Sequence, residues 1–132
     1  MLSQFKKSLY FPLAYYFRFF AKIRLANWKP YVIVVTGSSG KTTLLHLIES
    51  QIGDKARYSH HANSAYGVSF DILGLHRKSL RLTEWIYLIL ATPFCVFKSR
   101  HKHTIYIVEV DCDRPREGKF LATLLNPAIT LW

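Results

Sequence analysis

A run of small, polar and cationic residues, Thr36-Gly37-Ser38-Ser39-Gly40-Lys41-Thr42-Thr43, is the part of this sequence best suited to chemistry. Glycines let a backbone curl until successive N–H groups point inward at an anion, and a helix starting there adds its positive end. Lys41 supplies a point charge for the β- and γ-phosphates of a nucleotide, and the Thr42 hydroxyl supplies an oxygen for Mg2+. The usual phosphate-binding loop has its first glycine at position 35, where Val35 stands, so this is the shortened form Gly-x-x-Gly-Lys-Thr-Thr. The competing explanation is a Gly/Ser turn that happens to precede a lysine. A buried strand before the run and a helix after it favour phosphate binding.

A second group stands at 105–113. The apolar run Ile105-Tyr106-Ile107-Val108 ends in Glu109, a carboxylate at the carboxyl end of a strand. Ligands of open α/β sheets sit beyond such ends, and a carboxylate there can hold Mg2+ directly or through water. The alternative for Glu109 is solvent or a pairing with Arg114, and Asp111 and Asp113 lie near enough to compete for the ion.

The elements that must position these residues follow from periodicity. Tyr31-Val32-Ile33-Val34-Val35 is wholly apolar and largely β-branched, as in a strand buried on both faces of a parallel sheet. Leu44, Leu45, Leu47, Ile48 and Ile52 recur at helical spacing, and Gly53 stops that helix. The pattern predicts a short strand at 56–59, a polar loop at 60–67, and helices at 68–75 and 82–97 joined by the basic turn His76-Arg77-Lys78. It continues with a second buried strand at 104–110, a short helix at 117–125 and a strand beginning at 128–132. The expected fold class is α/β: a P-loop-type parallel sheet flanked by helices, incomplete at the C-terminus, behind a basic aromatic N-terminal helical segment.

Composition narrows the partners. Half of the 132 residues are hydrophobic, which excludes a disordered chain, and 18 basic against 8 acidic residues leave +10, which calls for an anionic partner. Residues 1–30 hold Lys6, Lys7, Arg18, Lys22, Arg24 and Lys29 among many aromatic rings, with no acid. Their uninterrupted apolar run, 9–17, is far short of the ~20 residues of a membrane span. Such a segment either lies in the membrane interface, giving peripheral membrane contact through residues 1–30, or packs on the domain with its basic face solvated. Residues 85–97, too short to span and interrupted by Pro93, read as a buried helix. Cys95 and Cys112 read as two buried free thiols in a reducing compartment. His60-His61 and His101-x-His103 lack a partner acid or cysteine at ligand spacing and read as solvated. The basic run 98–103 lacks a nucleic-acid-binding module and reads as a solvated turn.

Taken together, residues 36–43, then Asn63-Ser64-Ala65-Tyr66-Gly67-Val68, then Glu109-Val110-Asp111-Cys112-Asp113-Arg114-Pro115 resemble the central ATPase domain of the Mur ligases, and among them the dipeptide-adding members. The likeness covers residues 31–132, expected to be the N-terminal part of a Mur-ligase-like ATP-binding domain, and leaves 1–30 outside. It implies ATP-dependent amide formation: a substrate carboxylate takes the γ-phosphoryl group, and an amine then displaces phosphate from the acyl phosphate. Carried over, Gly37, Ser38, Ser39, Gly40, Lys41, Thr42 and Thr43 hold the nucleotide. Lys41 and Glu109 are catalytic, Thr42 and Glu109 serve the metal, and Asn63 lies by the substrate. Ser64, Ser69 and Asp111 depart from the family's Asn, Pro and Gly. The implied cofactors are ATP and Mg2+. The implied partners are a nucleotide-linked peptidoglycan precursor and an amino acid or dipeptide, with no nucleic acid. The implied location is cytoplasmic, peripheral at the inner face of the membrane. Family members carry further domains, so a partial chain is expected. The other readings are a membrane-associated P-loop NTPase or phosphotransferase, and a non-catalytic nucleotide-binding module.

Overall fold

The structure, a computed structural model, describes residues 2–60, 62–79, 81–98 and 101–132, with side chains from Tyr10 onward. In chain order the elements are α1 (Leu2–Trp28), β1 (Tyr31–Val35), α2 (Lys41–Ile52), β2 (Ala56–Ser59), α3 (Ala65–Leu73), α4 (Leu82–Cys95), β3 (Ile105–Glu109), α5 (Glu117–Leu125) and β4 (Ile129–Leu131). The strands form one four-stranded sheet in the order β2-β3-β1-β4, with every pairing parallel. The expected α/β class, with a parallel sheet flanked by helices, is what the chain adopts.

Register explains why β1 and β3 are apolar throughout. Val35 stands opposite both Glu109 and Leu131, and Tyr31 opposite Ile105. Alternate residues then enter opposite cores. Val32, Val34, Tyr106 and Val108 face α3 and α5, whereas Val35 and Ile107 face α2, whose Leu45 is fully buried. The α2 side is thus one helix thick.

The other side is thicker because α1 lies on α3. Ala14, Phe17, Ala21, Leu25 and Trp28 recur every three or four residues and are buried in the same core as the sheet. The Phe17 ring meets Phe70 edge-on at 4.8 Å. Of the two expectations for residues 1–30, the described part adopts the packed helix, though its basic residues are not all solvated. Arg24 is buried at 6% exposure. Its Nε donates to the Ile72 carbonyl at 3.1 Å, and its Nη1 donates to those of Cys95 at 2.6 Å and Lys98 at 3.1 Å. These carbonyls close α3 and α4, where intrahelical donors run out.

Several expectations need correction. Helix α3 starts at Ala65 rather than 68, because the Ser64 hydroxyl accepts from the Gly67 N–H at 3.2 Å and caps it. Pro93 does not break α4. Proline lacks the N–H that would bond the Ile89 carbonyl, and the Tyr16 hydroxyl donates to that carbonyl at 2.8 Å instead. Nor is α4 buried all round: Leu88, Thr92 and Cys95 are covered, while Leu90 is 65% and Phe94 74% exposed. Cys95 is buried but Cys112 is exposed. His101 is not solvated; it is half-buried, bonds Arg57 Nη1 at 3.0 Å and packs on the Trp28 ring. Among the described residues no helix is long and apolar enough to cross a membrane.

Candidate functional site

From β1 the chain passes to α2 on the thin side of the sheet, and from β3 it passes to α5 on the thick side. Where neighbouring parallel strands send their connections to opposite faces, a crevice opens beyond their carboxyl ends. The Val110 N–H donates to the Val35 carbonyl at 2.9 Å and the Thr36 hydroxyl to the Val110 carbonyl at 3.1 Å, which fastens the two strand ends together.

The loop leaving β1 depends on its glycines. Gly37 has φ +133° and Gly40 has φ +76°, a region that strains any residue with a Cβ. Gly40 caps α2 without a side chain, so the first N–H groups of that helix face the crevice mouth without a built-in acceptor. Ser38, Ser39, Thr42 and Thr43 are exposed around that opening.

Lys41 is the first residue of α2. Its Nζ donates to the Gly37 carbonyl at 2.8 Å and pairs with Asp111 Oδ1 at 2.8 Å. The hydrogen-bonded Asp111 carboxylate holds the ammonium above the usual lysine range; desolvation opposes this, and the charges of Asp111, Glu109 and Asp113 add to it. The Thr42 hydroxyl stands 3.2 and 3.1 Å from the two carboxylate oxygens of Glu109, which is 4% exposed. Asn63 Nδ2 donates to Asp111 Oδ2 at 2.5 Å, and the Asp111 N–H returns to the Asn63 carbonyl at 2.8 Å.

Lys41, Thr42, Glu109 and Asn63, singled out from the sequence, therefore meet at one sheet edge together with Asp111. The three acids are placed differently: Glu109 takes Thr42, Asp111 takes Lys41 and Asn63, and Asp113 is exposed. The alternative pairing of Glu109 with Arg114 does not form. Arg114 Nη1 stands 3.9 Å from Glu117 Oε1, donates to the Tyr10 hydroxyl at 3.1 Å, and the guanidinium lies over the Tyr10 ring. Hydroxyl and carboxylate oxygens are the hard donors that Mg2+ takes, so Thr42 and Glu109 fit that ion by their chemistry.

Sequence reasoning missed the acid that holds this arrangement from behind. Glu117 is 1% exposed. Its Oε1 accepts from the Ala65 N–H at 3.0 Å and the Tyr10 hydroxyl at 3.2 Å, and its Oε2 accepts from the Arg114 N–H at 3.2 Å. It thereby satisfies the first N–H of α3 directly after the Asn63 loop. No spacing in the sequence marks it.

Beside the crevice, and sharing Asn63 with it, lies an open cavity of about 740 Å³ whose walls include His60, His76, Arg77 and Arg114. The wall carboxylate, Asp71, is already engaged by Arg57 Nη2 at 2.9 Å and the Tyr106 hydroxyl at 2.7 Å. The remaining charges suit an anion. The expectation that His60-His61 lacks a partner acid is corrected for His60: its Nε2 stands 3.1 Å from Glu49 Oε2, which lies 3.5 Å from His46 Nδ1. One ligand atom from each of the three lies within 4.8 Å of the others. His61 lies outside the described residues.

No protein-family model, curated protein or solved structure matches this chain.

Proposed function

We propose that the crevice between β1 and β3 is a P-loop-type site for Mg-ATP, and that the chain is part of a carboxylate–amine ligase of the Mur type. Its nearest kind would be UDP-N-acetylmuramoyl-tripeptide–D-alanyl-D-alanine ligase, working on peptidoglycan precursors in the cytoplasm. The observation that carries this reading is the meeting of Thr42 with Glu109, 67 positions later, beside a lysine at the start of a glycine-capped helix.

In the proposed reaction Lys41 leaves Asp111 for the β- and γ-phosphate oxygens, and the N–H groups of residues 37–43 cradle the phosphate chain. Mg2+, when bound, neutralises charge on the transferring phosphoryl group. Glu109 keeps the Thr42 hydroxyl aimed at the crevice, and Asn63, pinned by Asp111, faces the incoming carboxylate. That carboxylate attacks the γ-phosphorus, the bond to the β-phosphate oxygen breaks, and ADP leaves; an amine then expels phosphate from the acyl phosphate. The site contributes positioning and charge neutralisation, and no covalent bond to the protein is needed. A P-loop NTPase or phosphotransferase would share the crevice; the cationic cavity that adjoins Asn63 favours an anionic second substrate over simple hydrolysis.

The test is ATP turnover by the full-length protein, with an anionic nucleotide-linked carboxylate and an amine supplied singly and together. The ligase reading expects phosphate release that needs both. Release with water alone would move the assignment to an NTPase.

A further inference from the structure

Helix α4 carries an apolar surface that is left uncovered among the described residues. Leu82, Ile86, Tyr87, Leu90, Phe94 and, just past the helix, Phe97 are 58 to 87% exposed. At 100° per residue they fall within an arc of roughly 140°, opposite the arc of Leu88, Thr92 and Cys95 that packs inward. The stripe runs for about 24 Å, at 1.5 Å per residue.

The surface is preformed. Tyr16 binds the Ile89 carbonyl, Arg24 binds the Cys95 carbonyl, and the Trp85 ring lies 5.5 Å from that of Tyr66. Its borders are cationic: Arg77, Lys78 and Arg81 precede the stripe, Lys98 and Lys102 follow it, and all five are exposed. Glu84, the acid within α4, is turned back onto the preceding loop, where it accepts from the N–H groups of Lys78 and Ser79 and from the Ser79 hydroxyl.

We propose that α4 docks the protein flat on an anionic lipid surface, its apolar stripe among the upper acyl chains and the flanking cations on the headgroups. An interfacial helix needs an apolar face, aromatic rings at headgroup depth and basic flanks, and α4 has each of these without the length to span. Charge argues against a second copy as the occupant. Two α4 helices laid together in either direction bring basic flank against basic flank, in a chain that already carries +10. Within α1, among the large apolar side chains described from Tyr10 onward, only Tyr15 and Phe19 are strongly exposed, so the longer described apolar stripe is that of α4.

The surface is independent of the ATP reading and is tested separately. The full chain is sedimented with phosphatidylcholine vesicles, with and without phosphatidylserine, and sized by gel filtration without lipid. Expected are binding that needs phosphatidylserine and a loss of roughly tenfold or more in the triple variant Ile86→Ser, Leu90→Ser, Phe94→Ser. Tyr15→Ser with Phe19→Ser, and Lys41→Ala, should bind within about twofold of wild type. Because the triple variant could misfold, Lys78→Gln with Arg81→Gln and Lys98→Gln gives a second reading, expected to lose the phosphatidylserine dependence. Full vesicle binding by both α4 variants would overturn the proposal. So would loss in the α1 variant alone, or a wild-type dimer that the triple variant splits, which would make a second copy the occupant.

Discussion

The crevice and the seam beneath α1 both hold buried or half-buried charges, yet the charges are satisfied in different ways. In the seam, Arg24 and Glu117 spend their hydrogen bonds largely on backbone: three carbonyls for the first, two N–H groups for the second. In the crevice, Lys41, Thr42, Glu109, Asp111 and Asn63 bond mainly to one another's side chains. Backbone partners cannot leave without unfolding, so the seam's charges are committed to the fold. Side-chain partners can be exchanged for a ligand's oxygens when one arrives. The difference separates charges that hold the structure from charges held ready.

The comparison predicts unequal effects. Glu117→Ala should be the most damaging change to the fold. It leaves the Ala65 and Arg114 N–H groups and the Tyr10 hydroxyl without this acceptor, a destabilisation of about 3 kcal/mol read as a lower urea midpoint. Stability within about 0.5 kcal/mol of wild type would erase the distinction between the regions. Lys41→Ala should lower Mg-ATP affinity by roughly a hundredfold in calorimetry while the circular dichroism stays unchanged. Equal affinity in this variant would remove the phosphate-binding role.

Smaller effects sharpen the contrast. Glu109→Gln should weaken Mg-ATP by about tenfold and leave metal-free ATP almost untouched, because the amide keeps the Thr42 contact but drops the charge for the ion. Equal losses with and without magnesium would make Glu109 a structural acid like Glu117. The smallest effect belongs to His101 on the seam. Burial, aided by the Arg57 and Arg24 charges and opposed by Asp71, lowers its pKa below the usual 6.5. The unfolded chain then takes up the proton first, so the contribution is complete above pH ~6.5 and fades as pH falls toward the folded value. His101→Phe should flatten that part of the stability–pH curve; an unchanged slope would place the titration elsewhere.

Several elements were legible because each obeys one period: β1 and β3 as unbroken apolar runs, and α2 as an amphipathic repeat ending at Gly53. The Lys41, Thr42 and Glu109 cluster was legible from a loop whose glycines have few other uses and from an acid at a strand end. The start of α3 was hidden, since its cap Ser64 sits in a polar stretch that looks like loop. Helix α4 misled for a physical reason. Its sequence is apolar nearly all round, which signals full burial, and only the packing of α1 against one side reveals that the other is bare. Glu117 and the grouping of His46 and Glu49 with His60 depend on contacts between distant segments, which spacing along the chain cannot encode.

The position of β1 in the sheet also sets the order in which the protein can be built. The strand is made early, yet both its neighbours come later: Val110, whose carbonyl secures Thr36, follows it by 74 positions, and β4 later still. No hairpin can pre-pair the strand, so Tyr31–Val35 must wait with both edges open until β3 has been made. Parallel pairings this far apart fold slowly and expose sticky edges while they wait. Helix α1, already made, cannot shield the strand, because the core that α1 enters is lined by α3, α4 and α5, and α3 and α5 also cover the sheet. Refolding should therefore be limited by the arrival of β3, with aggregation seeded at β1 competing against it as protein concentration rises.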